Sequence, residues 1–303
     1  MKLTIVICSH NRTELLKIAL DSIYTADIPI NHKISILVIA NACTDSTTSD
    51  LEQYQIRKSN NIPLFFEEEP RKGKSFALNH AIGIVKDGYL CFMDDDQLLD
   101  KKYFKAILKA LNEFPESTMF CGPLLGNWKG NEPQWVYETG KFKIYPLPFP
   151  LFDLGSKVLL INNENLTPPG GQVIIRRDVF NRVGLFREDL GPTGHNLLGS
   201  EDTDFFIRAI DNKELFQYIP YIIQYHHIDC NRFKLTYLIN NSFQRNRSLT
   251  MTLYPNDSIP FYLFMKLLRY IIGAILSFNS VKIRFYLVRS AAISGQICGY
   301  IIK

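Results

Sequence analysis

"YLCFMDDDQLLD", residues 89–100, decides how the rest of the chain is read. Leu90, Cys91, Phe92 and Met93 run straight into Asp94, Asp95 and Asp96. The apolar run predicts a buried strand, and three adjacent carboxylates at its end raise one another's pKa unless a cation sits among them. Alternate strand positions share a direction, so Asp94 and Asp96 are expected to face one cation while Asp95 turns the other way. A hard divalent ion such as Mn²⁺ or Mg²⁺ is held by one or two carboxylates plus phosphate oxygens, and it neutralises the charge of a departing phosphate. The competing reading has the aspartates capping a helix that starts near residue 101.

Outward from this stretch, the first half alternates apolar runs with helical patterns. Strands are predicted at 3–8, 34–40, 62–67 and 88–93, with helices at 13–25, 47–57 and 75–86 between them. This rhythm is that of a parallel sheet covered by helices, whose ligands bind beyond the carboxyl ends of the strands where the strand order reverses. "SHNR" (9–12), "NACTD" (41–45) and the aspartate triplet should therefore share one edge. Residues 114–170 hold eight prolines and predict long loops. Beyond them, "LFQYIPYIIQYHH" reads as a strand and the tail as about three helices, near 232–253, 259–278 and 280–301.

The composition is that of a folded chain, 46% hydrophobic and 21% charged over 303 residues. Its six cysteines show no metal-binding or paired spacing, which fits a reducing cytoplasm. "MKLTIVICSHNR" reads as a first strand, not a signal peptide, and Lys266 and Arg269 interrupt the best candidate for a membrane-spanning run. Residues 231–303 carry ten Lys/Arg against the single acid Asp257, a net +9 that leaves the first 230 residues at −5. An acidic catalytic part with a basic tail aimed at an anionic surface or substrate follows from that asymmetry. Nothing in the pattern points to nucleic acid.

Three further clusters carry chemistry. In "GSEDTDFFIRAI", Glu201 and Asp202 stand at a helix start, where they either cap the helix or supply a general base, Asp202, for an acceptor hydroxyl. In "EEEPRKGKSFALNHAI", Arg71, Lys72 and Lys74 surround Gly73 at another helix start, as a phosphate site or a solvated basic loop. His226 or His227, at the end of a strand, could complete a metal site or be structural; only one of the two can face it.

In this order, "LTIVICSHNR", "ILVIANACTDST", "RKGKSFALNHAI", "YLCFMDDD" and "GGQVIIRRDVFNRVGLFREDLG" followed by "GSEDTDFFIRA" resemble the family 2 glycosyltransferases over roughly residues 3–250. The resemblance implies a GT-A fold: an α/β, Rossmann-like mixed sheet flanked by helices, here with a C-terminal helical extension. It implies a metal-dependent enzyme that moves a sugar from a nucleotide-diphosphate donor to an acceptor hydroxyl, usually with inversion, in polysaccharide or lipid-linked glycan synthesis. Carried over residue by residue, Asp94 and Asp96 match the DxD pair, Asp96 ahead of Asp94 as the direct metal ligand and Asp94 nearer the ribose or sugar, while His226 stands as a further metal candidate on the residue reading alone. Asp202, beside Glu201, matches the catalytic base. Ser9, Arg12, Arg71 and Lys74 match donor-contacting loops, and Asp94 and Asp95 lie with them. Gly170 and Gly171 match the turn that brings the acceptor region to the donor sugar. One departure is Ala40, where members commonly carry a base-contacting aspartate; Asn41 is the candidate substitute, and Asp45 is expected to cap the next helix.

The expected organisation is a catalytic domain over 1–230, with a nucleotide-sugar half to about 113 and an acceptor half from 114, followed by a basic amphipathic extension over 231–303. The apolar segment "FYLFMKLLRYIIGAILSF" with its basic residues predicts a peripheral position on the cytoplasmic face of an anionic membrane, or else a buried hairpin or dimer face. The rival readings are a nucleotidyltransferase, against which "CSHNRTE" lacks a glycine, and a non-catalytic membrane-bound binding module. A two-carboxylate glycosidase would not need the clustered aspartates.

Overall fold

The structure, a computed structural model, describes residues 1–30, 32–58, 62–162, 168–191, 201–254 and 257–301. Two compact units emerge, one of Met1–Asn127, Leu151–Gly194 and Glu201–His227, the other including Trp128–Pro150 and Ile228–Lys303. Residues 128–150, predicted to belong with the acceptor half, group instead with the basic tail. The reason is aromatic: Trp135 and Phe149 each pack edge-on against Phe233, with ring centroids 5.6 Å apart in both pairs.

The first unit begins β1 (Lys2–Ser9), α1 (Thr13–Thr25), β2 (Lys33–Asn41), α2 (Thr47–Lys58), β3 (Leu64–Glu69), α3 (Lys74–Ile84) and β4 (Tyr89–Asp94). It continues with β5 (Gln97–Leu99), α4 (Tyr103–Glu113), β6 (Met119–Cys121), β7 (Leu124–Asn127), β8 (Leu159–Leu160), β9 (Val173–Arg176), α5 (Val179–Val183), α6 (Glu201–Asp211), β10 (Phe216–Tyr218) and β11 (Gln224–His227). The large sheet runs β3-β2-β1-β4-β9-β6-β10-β8. β3, β2, β1 and β4 are mutually parallel, whereas β9 lies antiparallel to both β4 and β6. The order reverses between β1 and β4, which makes their carboxyl ends the expected ligand edge.

Both faces of this sheet are buried, which explains near-continuous apolar strands in place of an alternating pattern. Leu3, Ile5 and Ile7 of β1 pack with Leu16, Leu20 and Ile23 of α1 and with α4, whereas Val6 joins Phe92, Ala77 and Ala81 of α3 and Phe205 of α6 on the other side. The predicted single strand near 215–227 is broken. Pro220 lies in a turn between β10 and β11, and the chain changes sheets there, β11 joining β5 and β7.

The second unit contains α7 (Leu235–Leu253), α8 (Tyr262–Ile275) and α9 (Ser280–Ile301). Among the described residues no helix is long and apolar enough to cross a membrane.

Candidate active site

Strand register sets the site. Cys8 lies opposite Asp94 and Ser9 opposite Ala40, so β1, β2 and β4 end level, as the sequence predicts. β4 stops at Asp94, and Asp95 and Asp96 form a turn into β5. The aspartates therefore do not cap α4. The carboxylate near that helix start is Asp100, whose Oδ1 accepts from Lys102 N at 2.8 Å.

Each member of the triplet has its own partner. Lys74 Nζ donates to Asp94 Oδ1 at 2.7 Å. Burial opposes the Lys74 charge, but the charges of Asp94 and Glu201 outweigh it and raise the ammonium's pKa. Asp95 is buried and accepts from Ser9 Oγ at 2.7 Å and from Arg12 Nη1 at 3.1 Å. Desolvation and then the neighbouring Asp96 push its carboxyl up to about 6, against the pull of Arg12. Asp96 lies 3.4 Å from the same Arg12 nitrogen, and its Oδ1 is 3.4 Å from His226 Nε2. Asp95 thus does not turn away from the site. Strand alternation ends with β4, and the following turn aims Asp95 and Asp96 at a shared guanidinium.

A divalent cation fits the Asp96–His226 end better than the Asp94–Asp96 pair expected from spacing. His226 is buried, and its Nδ1 lies 2.7 Å from the carbonyl oxygen of His227. A carbonyl can only accept, so Nδ1 carries a proton and Nε2 is the ring nitrogen turned toward Asp96. A histidine oriented through its other nitrogen, beside a carboxylate, is the common form of a metal ligand. Among the described residues no group of three or more His, Cys, Asp and Glu side chains gathers into a metal cage. An ion completed by phosphate oxygens needs no such cage. Asp94, by contrast, is turned to Lys74, and His227 contributes its backbone N–H to the Asp96 carbonyl at 2.8 Å.

The 3₁₀ turn Gly170–Gln172 joins the two halves of the site. Gly170 N donates to Asp202 Oδ2 at 2.8 Å, and a Cβ on Gly170 would come within 2.9 Å of the Asp202 Cβ. A Cβ on Gly171 would come within 2.5 Å of Asp94 Oδ2. Consecutive glycines are required because carboxylates from two distant segments close on consecutive residues. Asp202 Oδ1 also accepts from Thr203 N at 2.7 Å, so local capping and a place in the site coexist.

Glu201 is buried beside this junction, and desolvation followed by the Asp202 charge pushes its carboxyl up to about 7, with Lys74 opposing. A carboxyl raised above its unfolded value makes the folded state bind more protons, so this group's contribution to stability falls as pH rises from the ordinary glutamate range to about 7. Glu201→Gln should therefore gain stability relative to wild type across that window. Melting temperatures at pH 5 and pH 8 with an unchanged difference would contradict the assignment.

Two other expected contacts are structural in this arrangement. Asn41 is buried, and its amide donates to the carbonyls of Glu69 (3.1 Å) and Arg71 (2.7 Å) while accepting from Gly73 N at 2.9 Å. It clasps the β3–α3 loop, leaving no side-chain N–H to read a base in place of the missing aspartate. Arg71 commits two nitrogens to Glu69, at 2.9 and 2.8 Å, and lies over Phe76. Asp45 accepts from Thr47 N and Oγ1, the cap predicted for α2.

The sequence reading missed Gln97 and Asn11. Gln97 Oε1 accepts from Asp94 N at 3.1 Å, and its place directly after the triplet was the available signal. Asn11 adopts a left-handed φ of 53° and accepts from Thr44 N at 2.7 Å, tying the loops after β1 and β2 together. An Asn directly after a strand is a residue that tolerates such a turn.

Comparison with known proteins gives the family and the fold. Over 142 residues the chain is 30% identical to a poly(ribitol-phosphate) beta-glucosyltransferase of Bacillus spizizenii, a match covering 46% of this chain and 22% of that protein. The chain thus spans only about a fifth of this curated relative. Among solved structures, the mannosyltransferase PcManGT from Pyrobaculum calidifontis, in complex with GDP-Man and Mn²⁺, superposes with a TM-score of 0.61 at 15% identity, over 99% of this chain and 86% of that one. S. aureus TarS 1–349 in complex with UDP-GlcNAc gives 0.55 at 14% identity, over 99% and 91%. At these identities the likeness establishes the GT-A fold alone. Residues 4–184 match the family described as Glycosyl transferase family 2. The chain, with this fold and this match over more than half its length, belongs to glycosyltransferase family 2.

Proposed function

We propose that the protein is an inverting, metal-dependent glycosyltransferase that moves a hexosyl group from a UDP- or GDP-sugar to an acceptor hydroxyl of a polysaccharide or lipid-linked glycan. The observation that carries this reading is the Gly170–Gly171 turn, which seats Asp202 against one glycine and Asp94 against the next. A general base and the donor-side carboxylates are thereby neighbours, as transfer between two substrates requires.

In this reading Asp202 takes the proton of the acceptor hydroxyl, whose oxygen attacks the anomeric carbon from the face opposite the diphosphate. The bond from that carbon to the diphosphate breaks, and the electron pair leaves with the nucleotide. Lys74 and Arg12 supply fixed positive charge at the donor edge, and Gly170 N–H holds the Asp202 carboxylate in place. Asp96 and His226 would hold a divalent cation, Mn²⁺ or Mg²⁺, which when bound neutralises charge on the leaving diphosphate. The nucleotide-sugar complexes of PcManGT and TarS support a donor of this class. The similarity to the poly(ribitol-phosphate) beta-glucosyltransferase of Bacillus spizizenii supports a polyol-phosphate glycan among the acceptors to test. Stabilisation by UDP or by GDP in the presence of Mn²⁺ would identify the base, and a melting temperature unmoved by either would sink the donor assignment.

We further assign α8 to the headgroup region of an anionic leaflet on the cytoplasmic face. Its outward stripe of Phe264, Met265, Leu268, Ile272 and Ile275 is exposed, and Lys266 and Arg269 lie on the same helix. Cosedimentation with phosphatidylglycerol vesicles and not with phosphatidylcholine vesicles is expected. Equal recovery with both would contradict the assignment.

A further inference from the structure

A cluster of cations that the donor site does not use lies in the second unit. Between the 144–148 segment and helices α7, α8 and α9 is a cavity of about 240 Å³. Arg245, Lys266 and Arg289, one from each helix, line it, and among the described residues no carboxylate does. The rest of the wall is divided between amides such as Asn241 and Gln296 and apolar side chains including Leu238, Val288 and Ile293.

The polar wall is held in place from within. Gln296 Nε2 donates to Asn246 Oδ1 at 3.3 Å, and Ser242 Oγ donates to the Val288 carbonyl at 3.1 Å. The cations have no such acidic counterpart on the cavity wall. Although part of the Arg245 side chain stays open to solvent, desolvation draws its guanidinium below the ordinary range. Gathering cations in a partly apolar cavity without an anion is unfavourable, and a bound anion would offset that cost. A planar guanidinium pair with an ammonium suits phosphate oxygens. The apolar wall suits carbon next to the phosphate, and the volume suits a headgroup-sized fragment.

We propose that this cavity is a binding site for an amphiphilic phosphate ester, a phosphate group joined to an apolar chain, separate from the nucleotide-sugar site. Arg245 and Arg289 grip the phosphate, Lys266 supplies a third positive charge, and Leu238, Val288 and Ile293 take the first carbons of the chain. The inference does not rest on the glycosyltransferase reading, because it uses none of the donor-site residues.

The test is calorimetric titration of the full chain with soluble dihexanoyl phosphatidylglycerol, dihexanoyl phosphatidylcholine and inorganic phosphate. Phosphatidylglycerol should bind at least about tenfold more tightly than either of the others, and R245Q/R289Q should weaken it by about tenfold or more. Arg245→Lys, which keeps the charge, should retain most of the affinity. Binding of a nucleoside diphosphate should be unchanged in the double variant, which shows that it is folded. As a second readout on the wild-type protein, amide exchange should slow in 238–249 and 288–296 when phosphatidylglycerol is added. Equal affinity for phosphatidylglycerol and phosphatidylcholine, equal affinity for phosphatidylglycerol and inorganic phosphate, undiminished binding by the double variant, or protection confined to other segments would each overturn the proposal.

Discussion

Asp202→Asn should lower the turnover number by roughly 10²–10⁴-fold, the usual contribution of a positioned general base, while donor binding and melting temperature stay near wild type. Asparagine keeps the volume beneath Gly170, where even a Cβ added to that glycine would collide, and its amide oxygen can still accept one of the two backbone N–H bonds. What it lacks is an oxygen that can take up a proton. Glu201→Gln is the matched comparison, because it neutralises the neighbouring buried carboxyl and leaves Asp202 in place. Undiminished transfer by Asp202→Asn with intact donor binding would place the base elsewhere.

Asp96→Asn should cost about tenfold or more in Mn²⁺-dependent donor affinity and lower activity by roughly 10²-fold. The substitution removes the charge that lies 3.4 Å from both Arg12 and His226, leaving the guanidinium and the imidazole beside a neutral amide. Asp95→Asn should be comparably severe by a different route. It removes the nearer of the two carboxylates that hold Arg12, at 3.1 Å, leaving Asp96 at 3.4 Å, and should raise the KM for the donor more than it lowers kcat. Titrating Mn²⁺ against each variant separates the two effects. A mild Asp95→Asn would restore the simple alternation expected from the sequence.

Much of the fold was legible because its strands are buried on both faces. Continuous runs such as "LTIVIC" and "ISILVIA" have few other readings, and the register between Cys8 and Asp94 follows from them. Capping by Asp45 was legible because it is local. Three things were not. The 128–150 segment joins the tail through nonlocal aromatic pairs, which leave no periodic signature. Pro220 lies inside the run read as one strand, and it marks where the chain leaves one sheet for another. The division of labour in the triplet was hidden because period-two reasoning holds only within the strand, and β4 ends at its first aspartate. Asn41 shows the same limit in the site. Its position suggested base recognition, but its hydrogen bonds go to the backbone of a loop some thirty residues away in sequence.

The central claim, that these carboxylates serve sugar transfer from a nucleotide donor, is tested most directly by one measurement. Wild-type protein and Asp202→Asn are incubated with Mn²⁺, a polyol-phosphate glycan and, in turn, UDP-glucose, UDP-GlcNAc and GDP-mannose, and release of nucleoside diphosphate is followed with the mass of the glycan. The account predicts that at least one donor gives acceptor-dependent release with a matching hexosyl mass gain, and that Asp202→Asn suppresses both together. Donor binding by both proteins without release or mass gain for any of the three, or equal release by wild type and Asp202→Asn, would contradict it.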